Sequence, residues 1–263
     1  MKKEILLIFL TSFLILNSQE IESIKLSSKL KETSGLEYLN EYFISINDKG
    51  NDPVIFRFDE NGEIESEINI GAKNIDWEDL AIDNNNLYIA DTGNNNYSRR
   101  KLKIHILKII NSSLSIVGTI VLKIKKEHKV NIEAITVVGD ELHLFNKNDK
   151  LTTVYQIPTM NGTYSLDDFK TFNIKPKISI TGADYDSETD TMFLCGYSTN
   201  KVSFIYSIIN YSDNQKVQTY SLKNIKQVEG IKLIGDQIYF TNEKTKSGKA
   251  KLNRIPVRLL LGS

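Results

Sequence analysis

One pattern recurs five times along the chain and limits its fold more than any other feature. An apolar strand-like stretch is followed by a tight polar turn and then by a second apolar stretch ending in Asn, Asp or Tyr. Ser34-Gly35-Leu36-Glu37-Tyr38 leads into Tyr42 to Asp48, and Glu78-Asp79-Leu80-Ala81-Ile82 leads into Leu87 to Asp91. Glu133 to Val137 leads into Leu142 to Asn146, Thr181 to Tyr185 into Met192 to Tyr197, and Glu229 to Leu233 into Ile238 to Asn242. Aligned on Ser34, Glu78, Glu133, Thr181 and Glu229, the units are spaced by 44, 55, 48 and 48 residues. Each holds room for four strands. A repeat of roughly 40 to 50 residues with four strands is the mark of a β-propeller.

The turns agree with this reading. Val138-Gly139-Asp140-Glu141-Leu142 and Ile234-Gly235-Asp236-Gln237-Ile238 are nearly the same hairpin. A Gly in a two-residue loop supplies the positive φ that primed turns need. Asn61-Gly62 marks a third hairpin. The fifth unit has strands at Ile231–Ile234, Gln237–Thr241 and Lys249–Pro256 but lacks a fourth. Residues 21 to 30 read as a lone alternating strand at the other end of the chain. If they complete the last blade, the ring closes and both free sheet edges vanish. The expected fold is therefore all-β, a propeller of five four-stranded blades closed by the N-terminal strand. The alternatives are six blades or a pair of stacked sandwiches.

Residues 1–20 stand apart. Met1-Lys2-Lys3-Glu4 precedes an apolar run from Ile5 to Leu16 and a polar Asn17-Ser18-Gln19-Glu20. A basic start and a dozen apolar residues describe a secretory signal peptide, too short for a span of about 20 residues. The other reading is an uncleaved anchor. The expected organisation is a signal peptide, 1–20, and one propeller domain, 21–263, secreted or periplasmic, with no integral span after cleavage. The single Cys195 lies in an apolar run, so no internal disulfide is expected. Lys plus Arg and Asp plus Glu both number 33. With no net field, nucleic acid is not an expected partner. A monomer that takes a small molecule or a protein at its channel mouth is.

Propeller geometry locates that mouth. The first strand of each blade lines the channel and the second runs back antiparallel, so the start of one and the end of the other share a face. That collects Ser34, Glu78, Glu133, Thr181 and Glu229 with Asp48, Asp91, Asn146, Tyr197 and Asn242. Gathered carboxylates repel one another unless a cation joins them. An all-oxygen set suits calcium and not zinc. Two readings are open: the acids hold a central cation, or they cap backbone N–H groups and pair with neighbouring basic residues. Trp77 is either a wedge between blades or a stacking platform at the mouth. The catalytic inventory is thin, with no nucleophile elbow, phosphate loop or HExxH. His143 is the one histidine placed to approach the mouth as a base; the alternative is a core histidine.

Several of these stretches resemble a known superfamily of exported propellers. They are Ser34-Gly35-Leu36, Asp76-Trp77-Glu78-Asp79-Leu80-Ala81, Tyr88-Ile89-Ala90-Asp91-Thr92-Gly93-Asn94-Asn95 and Glu229-Gly230-Ile231. The superfamily includes the gluconolactonase, strictosidine-synthase-like, NHL-repeat and SdiA-regulated groups, and the likeness runs over roughly residues 33 to 257. In the hydrolytic members, calcium at the channel mouth is held by Glu, Asn and Asp and activates a lactone or phosphoester. Carried over by position, the resemblance implies Glu78, Asp91, Glu133, Asn146, Glu229 and Asn242 as metal ligands. Those members usually have six blades, and here Ser34 and Thr181 interrupt the acids. Two functions follow as expectations: an exported propeller binding a ligand or partner at its channel face, with calcium, or a calcium-dependent hydrolase of lactones or phosphoesters.

Overall fold

The computed structural model describes residues 21–261 except 84, 111–112, 148–151, 169–170, 175–177, 214 and 247. The N-terminal segment expected to direct export lies outside the described residues. Five antiparallel sheets form a ring of five blades. The N-terminal strand β1 is Glu22–Lys25. Blade one is β2 (Thr33–Leu39), β3 (Tyr42–Asn47), β4 (Val54–Phe58) and β5 (Ile64–Asn69). Blade two is β6 (Trp77–Ile82), β7 (Asn86–Asp91), β8 (Lys101–Ile110) and β9 (Ser113–Lys123). Blade three is β10 (Ile132–Val138), β11 (Glu141–Asn146), β12 (Thr152–Pro158) and β14 (Thr171–Ile174). Between the last two, β13 (Gly162–Ser165) crosses to blade two and pairs parallel with β9, a fifth strand that the repeat did not announce. Blade four is β15 (Ser179–Asp186), β16 (Thr191–Tyr197), β17 (Ser203–Ile209) and β18 (Lys216–Leu222). Blade five is β19 (Val228–Ile234), β20 (Gln237–Asn242) and β21 (Lys251–Pro256), completed by β1. A one-turn helix, Arg258–Leu261, packs behind it and buries Leu260.

Closure is as the sequence implied, through a shorter strand. β1 pairs antiparallel with β21, Glu22 opposite Arg254 and Lys25 opposite Lys251. The chain then turns into a 3-10 segment at Ser28–Leu30 rather than continuing extended. Leu26 and Leu30 are buried at this seam.

The core is divided into five wedges, one per blade interface. Between blades one and two, Trp77 sits fully buried among Ile44, Ile46, Ile55, Leu80 and Leu87. It is a wedge. The hairpins obey backbone sterics. Gly139 and Gly235 hold positive φ at the first loop position, the type II′ pattern, whereas Asn40 and Glu41 both take positive φ in blade one.

The five inner strands share two devices. Each carries a register irregularity near its start: Glu78, Glu133, Thr181 and Glu229 each stand opposite no partner residue, and in blade one the break falls between Ser34 and Glu37. A bulge bends the strand and re-aims the side chain beside it. The inner strands also bond sideways. Glu37 accepts from the Ile82 N–H at 3.0 Å, Asp79 from the Ile135 N–H at 2.8 Å and Asp184 from the Leu233 N–H at 2.8 Å. Ser34 and Thr181 donate to the carbonyls of Glu78 and Val228 in the following blades. Those hydroxyls interrupt the ring of acids because they are holding blades together. Among the described residues, no helix is long and apolar enough to cross a membrane.

Candidate functional site

At the start of the inner strands, a carboxylate cluster joins blades one and two. Oxygens of Asp48, Asp76 and Glu78 all lie within 4.8 Å of one another. Asp48 follows the last residue of β3, Asp76 precedes β6, and Glu78 is the bulged residue of β6. Asn74 sets their approach. Its amide N–H donates to the carbonyls of Asn47 (3.0 Å) and Asp48 (3.1 Å), and its Oδ1 accepts from the Trp77 N–H at 3.1 Å. Gly93 clears the space behind: a Cβ there would fall 2.0 Å from Glu78 Oε1 and 2.4 Å from Asp76 Cγ.

The electrostatics are those of an undercompensated cluster. Glu78 is buried, and among the described residues no hydrogen bond or ion pair reaches its carboxylate. Burial raises its pKa well above the usual range, and the charges of Glu133, Asp48 and Asp76 add to the rise. Burial also pushes Asp48 up to about 6, against the neighbouring Lys49 N–H that favours its charged form. Among the described residues, Lys49 forms an ion pair with the cluster, its Nζ 3.3 Å from Asp76 Oδ1. Three hard oxygen ligands with one amine nearby, and no sulfur or imidazole, form a donor set for calcium or a similar hard cation.

The six residues implied as ligands are not brought to one point. Glu78 is in the cluster. Asp91 lies behind it, accepting from the Asp76 N–H at 3.1 Å and paired with Arg99 at 2.9 Å. Arg99 also donates to the Gly93 carbonyl at 2.6 Å, so the pair fixes the loop after β7. Glu133 is occupied by Lys147 (2.7 Å) and by the Asn131 amide (2.7 Å). Asn146 accepts from the Asn131 N–H at 2.7 Å. Glu229 is buried against the Tyr197 hydroxyl, and burial holds its pKa well above the usual range. Asn242 accepts from Asn253 at 3.0 Å and donates to the Glu243 carbonyl. Asp76 was not singled out from sequence, although alternation across Asp76-Trp77-Glu78 puts its side chain on the face of Glu78.

His143 does not approach the mouth. It lies toward the Gly139-Asp140 hairpin, in register with Thr136, and bonds Tyr211 Oη at 2.9 Å and Gln156 at 3.2 Å. Burial lowers its pKa to about 4. The channel itself is filled lower down by Lys232, Glu37 and Asp184.

No protein-family model matches the chain, and no curated protein matches it in sequence. Solved structures do match in fold. A glucose-dehydrogenase-type putative oxidoreductase from Thermus thermophilus aligns at a TM-score of 0.54 and 8% identity, over 89% of this chain and 99% of that one. The PQQ-bound aldose sugar dehydrogenase of Streptomyces coelicolor aligns at 0.52 and 11% identity, over 90% and 98%. A chain of a nidogen/laminin complex aligns at 0.49 and 13% identity, over 87% and 77%. At these identities the likeness is one of fold, and the chain is a β-propeller.

Proposed function

We propose that this propeller binds a hard divalent cation, calcium by its donor chemistry, on Asp48, Asp76 and Glu78. On this reading it presents that ion to an oxygen-bearing ligand or protein partner at the channel mouth. The observation that carries this is Glu78, a buried residue whose carboxylate meets no hydrogen-bond or ion-pair partner among the described residues and joins a cluster of two further carboxylates. Leaving such a group buried and unpaired costs several kcal/mol, and a bound cation removes that cost. The short apolar run after Met1-Lys2-Lys3 supports export, and extracellular calcium levels suit modest sites of this kind. Binding without catalysis is favoured, because His143, the histidine expected as a base, is held away from the acids.

The test is titration calorimetry with calcium chloride on the purified protein, beside Glu78→Gln and Asp76→Asn. Binding by the unaltered protein that both substitutions abolish is expected. No heat from the unaltered protein, or equal heat from all three, would overturn the assignment.

A further inference from the structure

Phe43 is buried at the seam between blades one and five, just after the turn that joins β2 to β3. Tyr38, its partner across that hairpin, meets it at 5.1 Å between ring centres and 62° between planes. Tyr239 meets it from blade five at 5.0 Å and 52°. Both tyrosines are half-buried and neither ring lies flat on Phe43, so the three make a floor with two tilted walls. They line a cavity of about 380 Å³ together with Glu41, Asp59 and Glu60, and among the described residues no Lys or Arg lines it. Glu41 and Glu60 are exposed, and among the described residues neither is in an ion pair. Burial works against a charged Asp59, but the N–H groups of Glu63 and Asn61, at 2.9 and 3.0 Å, hold its pKa below the usual range. Arg254, opposite Tyr239 on β21, is taken by Glu22 at 2.9 Å.

We infer that this cavity binds an alkylated ammonium group, its methyl groups against Tyr38, Phe43 and Tyr239 and its charge facing Glu41, Asp59 and Glu60. The volume lies within the range of small-ligand sites, roughly 300–1,000 Å³. Ring faces carry the negative side of their quadrupole and attract a cation directly. The carboxylates add a field of the same sign, which draws the cation in and turns anions away. A primary ammonium would bring three N–H donors against ring carbons, whereas a quaternary one has none to satisfy. A hard metal ion takes six to eight oxygen ligands, which an aromatic floor does not supply. The cavity lies at the hairpin end of the ring, opposite Asp48, Asp76 and Glu78, and needs no metal there.

The probes are choline chloride, its uncharged carbon isostere dimethylbutanol, and a peptide carrying one trimethyllysine beside the same peptide with plain lysine. Binding is followed by chemical-shift titration of the whole protein. Choline is expected to saturate the site and to bind roughly tenfold tighter than dimethylbutanol, which has the shape without the charge. Tyr38→Leu and Tyr239→Leu should each weaken choline by roughly threefold or more. Tyr97→Leu, in the loop after β7, should leave it unchanged. Glu41→Gln combined with Glu60→Gln should weaken choline and not dimethylbutanol. Choline bound without the trimethyllysine peptide supports the site and assigns it to a free cation; the peptide bound more tightly than choline supports it and assigns a modified side chain. Equal binding of choline and dimethylbutanol overturns the inference, as does binding of neither ammonium probe. A plain-lysine peptide that binds as tightly as the trimethylated one, or displacement of choline by calcium chloride at constant ionic strength, overturns it too. If Tyr239→Leu does not fold, Tyr38→Leu and the comparison of choline with dimethylbutanol on the unaltered protein decide the matter.

Discussion

Lys232 Nζ of blade five stands 2.7 Å from Glu37 Oε2 of blade one, both side chains largely shut off from water. The same ammonium reaches Asp184 Oδ1 of blade four at 2.8 Å. Each of these carboxylates also accepts a backbone N–H from a following blade. One cation thus completes a set of bonds that ties four of the five inner strands together. Lys232→Met would leave two buried carboxylates facing each other. Breaking a buried ionic group from one side costs about 3–5 kcal/mol, and denaturant unfolding should show a loss of that size. A loss below about 1 kcal/mol would mean that the acids simply take up protons and that Lys232 does not hold the ring.

The closing strand makes a second expectation. β1 supplies the fourth strand of blade five and covers the edge of β21. The exposed Glu22–Arg254 ion pair adds little by itself. Leu26 and the backbone bond from the Leu26 N–H to the Ala250 carbonyl at 3.0 Å contribute more, since both would be lost to an open edge. A chain beginning at Ser27 should self-associate on size-exclusion chromatography and melt less cooperatively. A truncated protein that elutes and melts like the longer one would show that β1 is dispensable for closure.

The fold was legible because its signals are local and repeated. Apolar alternation, Gly-Asp loops and the spacing from Glu78 to Glu133 to Thr181 all follow from short-range rules. The missing fourth strand in the last unit then pointed to β1. The site was less legible because its geometry is tertiary. The bulge at Glu78, the bonds from Asn74 across to Asn47 and Asp48, and the capture of Glu133 by Lys147 depend on contacts between strands and blades far apart in sequence. Equivalent positions in the repeat face the same mouth, but their partners differ, so a symmetric set of ligands is not what forms. β13 escaped notice for another reason: four residues pairing parallel with β9 leave almost no periodic signature.

Gly93 offers a test of the cluster that leaves every carboxylate in place. A methyl group there would meet Glu78 Oε1 at 2.0 Å and the Asp76 carboxyl carbon at 2.4 Å, so both acids must move. Overpacking of this kind costs about 1–3 kcal/mol. Charged to cation binding, that is a loss of roughly fivefold or more in affinity. Gly93→Ala should therefore weaken calcium binding at least to that extent. Gly248→Ala, whose new carbon would meet nothing nearer than 3.8 Å, should bind normally. Equal affinities in the two variants would show that the cation sits elsewhere.

Acidity provides the remaining test. Burial raises Asp48 from 3.8 to about 6, and Glu37 and Glu243 from 4.5 to about 7. Between the ordinary carboxylate range and those values, the folded protein holds protons that the unfolded chain has released. Stability from these groups is therefore present below that window and lost as pH rises through it. His143 acts in the opposite sense. Burial lowers it from 6.5 to about 4, so the unfolded chain binds its proton first and stability is lost as pH falls through that interval. Three carboxyls outnumber one imidazole, and the melting temperature in chelator should fall between about pH 5 and pH 7. Calcium must displace the protons held on the mouth acids before it binds, so its stabilising effect should be larger at the higher pH. The measurement is a set of melting curves at both pH values with calcium and with chelator. A calcium-induced shift of equal size at the two would remove Asp48 and Glu78 from the binding site.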